Sequence, residues 1–159
     1  MKVDSDPDLF VRHYGALFEH SPWVVMRAAT RLPLADVYSG LMTIVQEATS
    51  EERLMLIRAH PELAGKAAID RTLTSESAAE QASAGLDRLT PEEYERFHAL
   101  NAAYRERFGF PFIICVRLTD KAGILAAMEQ RLANDRDTEI ATAVAEIGEI
   151  VHLRLRDMA

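Results

Sequence analysis

Apolar residues recur at steps of three and four along most of this chain, broken by short polar stretches that read as helix starts and stops. The clearest start is Thr90-Pro91-Glu92-Glu93: a capping hydroxyl, a proline where a missing N–H costs nothing, then carboxylates facing the positive end of the helix dipole. Beyond it Tyr94, Phe97, Asn101, Tyr104 and Phe108 predict one long helix with an aromatic inner face, ended by Gly109. Thr49-Ser50-Glu51-Glu52 has the form of a capping box and opens a helix toward Ala59. Ser21-Pro22 reads as a cap and a first-turn proline for a segment to about Arg31, and Pro33 separates that segment from Leu34–Ala48. A last helix is expected from about Asp137 to Leu155, with Ile140, Val144, Ile147 and Val151 as its buried stripe.

Only Phe112-Ile113-Ile114-Cys115-Val116 favours a strand, being apolar and largely β-branched. No other stretch alternates convincingly, so this run has no pairing partner. It is expected as buried extended chain leading into, or forming part of, a core helix. With connections of ordinary length, the pattern predicts an all-α fold: a single compact domain over residues 1–159 with roughly seven or eight helices.

Composition narrows the function. Hydrophobic residues are 48% and charged residues 27% of 159 positions, with 7 Gly and 6 Pro, which suits one globular domain with little linker. The net charge of -7 argues against nucleic acid, which needs a basic footprint. An anionic ligand must therefore be drawn by a local group of Arg, His or helix N-termini. A single Cys excludes an intrachain disulfide and fits a reducing compartment. The start, Met1-Lys2-Val3-Asp4-Ser5-Asp6, lacks an apolar signal segment, and no run approaches the roughly 20 apolar residues of a membrane span. The end, Arg156-Asp157-Met158-Ala159, carries no peroxisomal tail. No membrane partner is expected, and the cytoplasm is the expected location.

Three stretches could carry chemistry. In Ala59-His60-Pro61-Glu62-Leu63-Ala64-Gly65-Lys66, Pro61 pushes His60 out of helical geometry, so the preceding helix should end there. The imidazole then sits at a helix C-terminus, able to give and take a proton near neutral pH; the plainer reading is a histidine capping a helix at the surface. In Ser77-Ala78-Ala79-Glu80-Gln81, the S-x-x-E spacing is itself a capping box, so Ser77 and Glu80 could be spent on backbone N–H groups. Alternatively Glu80 and Gln81 offer a proton acceptor beside an amide that matches urea-like edges. The third stretch, Phe108-Gly109-Phe110-Pro111-Phe112-Ile113-Ile114-Cys115-Val116, is either a tightly packed core crossing or an apolar wall presenting backbone amides to a flat ring.

Two arginines follow apolar stripes inward: Arg154 comes three residues after Val151, and Arg131 three after Met128. Each needs an internal carboxylate such as Glu80, or a substrate carboxylate, unless it reaches solvent from its helix end. His13, His20, His98 and His152 form no H-E-x-x-H arrangement, and Cys115 reads as core rather than nucleophile. No Walker loop, Rossmann glycine set or G-x-S-x-G elbow is present.

In order and spacing these segments resemble one family, the 2-oxo-4-hydroxy-4-carboxy-5-ureidoimidazoline (OHCU) decarboxylases of the urate-to-allantoin route. The resemblance spans nearly the whole chain. It runs through Glu19-His20-Ser21-Pro22-Trp23-Val24, His60-Pro61-Glu62-Leu63, Glu76-Ser77-Ala78-Ala79-Glu80-Gln81 and Gly85-Leu86. It continues through Asn101-Ala102-Ala103-Tyr104, Phe108-Gly109-Phe110-Pro111-Phe112-Ile113, Arg131-Leu132-Ala133-Asn134 and Leu153-Arg154-Leu155. The resemblance implies an all-helical homodimer without cofactor or metal that forms (S)-allantoin and CO2. It implies His60 as the catalytic histidine with Glu80 close to it, and substrate binding by Pro61, the Ser77–Gln81 segment and the Phe112–Val116 segment. An arginine is also implied, Arg154 first and Arg131 second. Two rival readings stay open: a helical interaction module binding a partner in apolar grooves, and a metal-dependent hydrolase using His60 and Glu80 as ligands.

Overall fold

The computed structural model describes residues 3–65 and 71–159, so Met1, Lys2 and the Lys66 that ends the His60 stretch lie outside the described residues. In chain order the elements are α1 (Pro7–Tyr14), α2 (Trp23–Ala29), α3 (Val37–Glu47), α4 (Ser50–Arg58), α5 (Ser75–Ser83), α6 (Pro91–Phe108), a 3-10 turn (Val116–Leu118), α7 (Lys121–Arg131) and α8 (Arg136–Asp157). No strand occurs among the described residues, and the architecture is all-α as the sequence predicts. Phe112–Cys115 is neither helix nor strand and runs into the 3-10 turn, Cys115 itself being extended, with Phe112, Ile113 and Cys115 buried.

Caps set most of the boundaries. Thr49 Oγ1 accepts the Glu52 N–H at 3.1 Å while Glu52 Oε1 accepts the Thr49 N–H at 3.0 Å, so α4 opens on a reciprocal capping box. Thr90 and Glu93 repeat it at the start of α6, at 3.1 and 2.9 Å. At the far end Gly109 takes φ 80°, the left-handed geometry that lets a helix stop and reverse. α5 is capped by Thr74, whose Oγ1 accepts the Ser77 N–H at 3.2 Å.

Some boundaries differ from expectation. Ser21 is buried and does not cap α2; Pro22 has helical geometry of its own, and its carbonyl accepts the Met26 N–H at 2.9 Å. α2 ends at Ala29, short of Arg31, where Thr30 Oγ1 donates to the Arg27 carbonyl at 2.6 Å. α3 begins at Val37 rather than Leu34, because Asp36 is the residue whose carboxylate accepts the Ser39 N–H, at 2.9 Å. On α6, Tyr94 is 38% exposed, so the aromatic inner face begins at Phe97. On α8 Ile147 and Val151 are buried as expected, and so are Glu139 and Ala143, whereas Ile140 and Val144 are only half-buried. A carboxylate on an inner face is invisible to an apolar periodicity.

The chain groups into two compact units, one made of the residues up to Ala59 with Gly148–Ala159, the other of His60–Ile147. In the first, α2 packs against both α1 and α3 over Phe10, Val24, Val25, Leu41 and Ile44. Arg27 lies over the Trp23 ring at 4.8 Å and reaches Glu52 Oε2 at 2.7 Å, joining α2 to the start of α4. In the second, α6 packs against α7, with Lys121 Nζ at 3.2 Å from Glu93 Oε1, and α5 packs against the 3-10 turn. Tyr104 centres an aromatic cluster, its ring 4.6 Å from Phe108, 5.9 Å from Phe110 and 5.3 Å from Phe112. Among the described residues no helix is long and apolar enough to cross a membrane.

Two stability predictions follow from the caps. Arg27, and after it the Thr49 N–H, pull the Glu52 carboxyl from 4.5 down to about 2. The stability it contributes is therefore complete above its ordinary value and is lost as pH falls toward the folded one. Glu52→Gln is expected to flatten the fall of the thermal midpoint between about pH 5 and pH 2, followed by circular dichroism. Thr74→Ala should cost about 1 kcal/mol in urea unfolding, the usual worth of an N-cap.

Candidate active site

α4 stops at Arg58, Ala59 forms its C-cap, and His60 is the first residue beyond, turned out of the helix by the proline that follows. The side chain does not cap at the surface, since His60 is only 8% exposed. Its loop is held from two helices. Ala64 sits in the left-handed region at φ 52°, and its N–H donates to Gln81 Oε1 of α5 at 3.1 Å. The Leu63 carbonyl accepts from Asn101 Nδ2 of α6 at 2.8 Å, and Arg105 of α6 pairs with the Glu62 carboxylate. Pro61 lies half-buried between these fixed points and His60.

The cap at Thr74 decides how the Ser77–Gln81 segment is to be read. Because the cap stands three residues before Ser77, Ser77 and Glu80 stand inside α5 and are not its capping box. Ser77 and Gln81, one turn apart, share a buried face, and Glu80 is half-buried beside them. Gln81 spends its Oε1 on the loop after His60, which leaves its amide N–H donors for other partners.

The third segment is fixed by side chains from α7 and α8. Arg131 Nη1 donates to the Ile113 carbonyl at 2.7 Å, and the guanidinium lies 4.3 Å over the Phe112 ring. Glu146 Oε1 accepts the Cys115 N–H at 3.0 Å. Phe112, Ile113, Cys115 and Val116 are buried and Ile114 is half-buried. Since α5 packs against Val116–Leu118 and is bonded to the loop after His60, the structure brings all three stretches together within the second unit.

Both arginines point inward, and each meets an internal carboxylate that the sequence reading did not select. Arg131 Nε donates to Glu139 Oε1 at 2.8 Å. Glu139, with no exposed surface, also accepts from the Tyr104 hydroxyl at 2.5 Å and from Asn134 Nδ2 at 2.8 Å. Burial first, then the bond to this carboxylate, pushes the Tyr104 phenol well above its ordinary range. Among the described residues nothing bonds to the buried Arg131 Nη2. Arg154 belongs to the first unit, where its Nη1 reaches Glu19 Oε1 at 3.2 Å and the Leu17 carbonyl at 3.3 Å. Asn101 was legible as a polar residue on an aromatic stripe. Glu19, Glu139 and Glu146 carry no comparable signal, because nothing local marks a buried carboxylate.

A cavity of about 840 Å³ also opens beside α5, lined by Ala64, Ala78, Gln81, Ala82, Leu86 and Tyr94 among others. It meets the candidate site at Ala64, Ala78 and Gln81, and neither His60 nor Phe112–Val116 lines it. Neither His60 nor Glu80 is among its lining residues, so chemistry rather than volume locates the candidate site. Among the described residues no three His, Cys, Asp or Glu side chains stand together as a metal set.

The sequence profile of the OHCU decarboxylase family matches residues 4–156. A 2-oxo-4-hydroxy-4-carboxy-5-ureidoimidazoline decarboxylase of Haloferax volcanii is 44% identical over 96% of this chain and 90% of its own length. The protein of the same name from Mus musculus is 36% identical over 99% of this chain and 91% of its own. Among solved structures, an (S)-allantoin synthase superposes with a TM-score of 0.77 at 26% identity, covering 98% of this chain, which spans 51% of that one. On the extent of these matches, the chain belongs to the OHCU decarboxylase family.

Proposed function

We propose that this protein decarboxylates OHCU to (S)-allantoin and CO2, with His60 as the acid/base group and Glu80 as its assistant. Family membership supports the reaction class. The observation that carries the assignment of the site is the burial of His60 on a loop tied to Gln81 and Asn101. A histidine in that setting has a fixed approach to a ligand and little solvent to exchange with.

The substrate makes a cofactor unnecessary. Its carboxylate is on a ring carbon that also bears a hydroxyl and adjoins a C=N bond. When the C–C bond to the carboxylate breaks, the electron pair forms a ring C=C bond, the C=N pair moves to nitrogen, and that nitrogen takes a proton. The enol left behind loses its hydroxyl proton and gains one at the neighbouring carbon, giving allantoin. In this proposal His60, with Glu80, takes the hydroxyl proton and returns one to a single face of the enol, which makes one enantiomer. Ser77, Gln81, Pro61 and the Phe112–Val116 backbone hold the ring and ureido edges. Arg154 remains the resemblance's first choice for the substrate carboxylate. Arg131 is the second, although its fork already serves Glu139 and Ile113. A cytoplasmic homodimer is part of the same proposal.

OHCU generated in place from urate by urate oxidase and hydroxyisourate hydrolase tests the reaction. Rapid appearance of optically active S product is expected, whereas a racemic product at the uncatalysed rate overturns the reading. His60→Asn should lower kcat by about a hundredfold or more with its helical circular dichroism intact, and near-normal activity in that folded variant overturns the assignment. Glu80→Ala should lose a comparable factor of about a hundred with helical circular dichroism intact, because the cap of α5 is Thr74.

A further inference from the structure

Two consecutive peptide planes in the Phe112–Val116 segment are each held by a helix side chain. Arg131, the last residue of α7, takes the Ile113 carbonyl at 2.7 Å, and Glu146 of α8 takes the Cys115 N–H at 3.0 Å. Both peptides are trans, so the carbonyl and N–H of each plane point in opposite directions. Fixing the Ile113 carbonyl therefore turns the Ile114 N–H away from Arg131. Fixing the Cys115 N–H likewise turns the Ile114 carbonyl away from Glu146. Among the described residues nothing bonds to either main-chain group of Ile114. In a sheet this alternation would be imposed by a neighbouring strand; here two side chains supply it.

We infer that Glu146 and Arg131 are positioning residues: they aim the Ile114 N–H and carbonyl, as an adjacent donor and acceptor, at an amide or ureido edge of the substrate. The inference rests on the decarboxylase reading for the identity of the ligand, and goes beyond it in assigning a role to α7 and α8. Arg131 is itself braced, its Nε on Glu139 and its plane on Phe112. Glu146 has no comparable anchoring duty, which makes it the cleaner probe, since removing Arg131 would strand the buried Glu139 carboxylate.

The experiment compares Glu146→Ala with Glu146→Gln, whose amide oxygen still accepts the Cys115 N–H. Glu146→Ala should raise KM by about tenfold with kcat within about twofold of the parent, the pattern of a lost uniform binding contact, and Glu146→Gln should restore KM. Exchange of the Cys115 amide with deuterated solvent, followed by NMR without substrate, should quicken about tenfold in Glu146→Ala and not in Glu146→Gln. A purely structural role predicts instead a fall in kcat at unchanged KM, and that result overturns the inference. So does a Glu146→Gln variant as impaired as Glu146→Ala, or unaltered Cys115 exchange. Failure of the parent protein to convert OHCU would sink the decarboxylase reading alone, with amide exchange still deciding whether Glu146 holds the segment.

Discussion

A carboxylate with no exposed surface is stable only if donors replace the water it has lost. Glu139 has three: the Tyr104 hydroxyl from α6, the Arg131 guanidinium from α7, and the Asn134 side-chain amide from the turn before α8. Each donor comes from a different stretch of the second unit. Satisfying one charge thus fixes where α6, α7 and α8 meet, and through Arg131 it reaches the Ile113 carbonyl. The segment proposed to face substrate is tied through Arg131 to an ion pair it does not belong to. Replacing the network by apolar groups of similar volume could preserve a core, but it would leave the Ile113 peptide free to turn.

Helical folds have no sheet edge with which to order extended chain, and this protein has two extended or irregular stretches at the proposed site. It orders both with side chains. Gln81, Asn101 and Arg105 hold the loop after His60, as Arg131 and Glu146 hold the stretch around Ile114. The residues that would touch substrate therefore lie on connections, where backbone amides are available. The residues that keep them still lie on helices, where rotamers are restricted by packing.

The helix starts that were readable have local signals. Thr49 with Glu52 and Thr90 with Glu93 specify their caps within four residues, and each forms as written. In the candidate site the place of His60 was readable, since Pro61 forces it off its helix whatever surrounds it. The Ser77–Glu80 spacing remained ambiguous, because S-x-x-E serves equally as a cap and as a stretch of helix face. Only the Thr74 hydroxyl on the Ser77 N–H resolves it. The partners of the buried arginines were not readable at all. Glu139 and Glu19 are eight and 135 positions from Arg131 and Arg154, and nothing in their neighbours announces that they are inside. That is a property of tertiary packing.

The reversal at Gly109 gives the length of α6 an importance that no side chain on it has. The helix ends there in a left-handed turn, and the chain doubles back so that Phe110 lies 5.9 Å and Phe112 5.3 Å from the Tyr104 ring. Each helical residue rotates the exit direction by about 100°, so adding or deleting one between Tyr104 and Gly109 would swing the returning chain past its aromatic seat. In this sense α6 is a ruler as well as a wall: drift in composition along its outer surface is tolerable, whereas drift in its residue count is not.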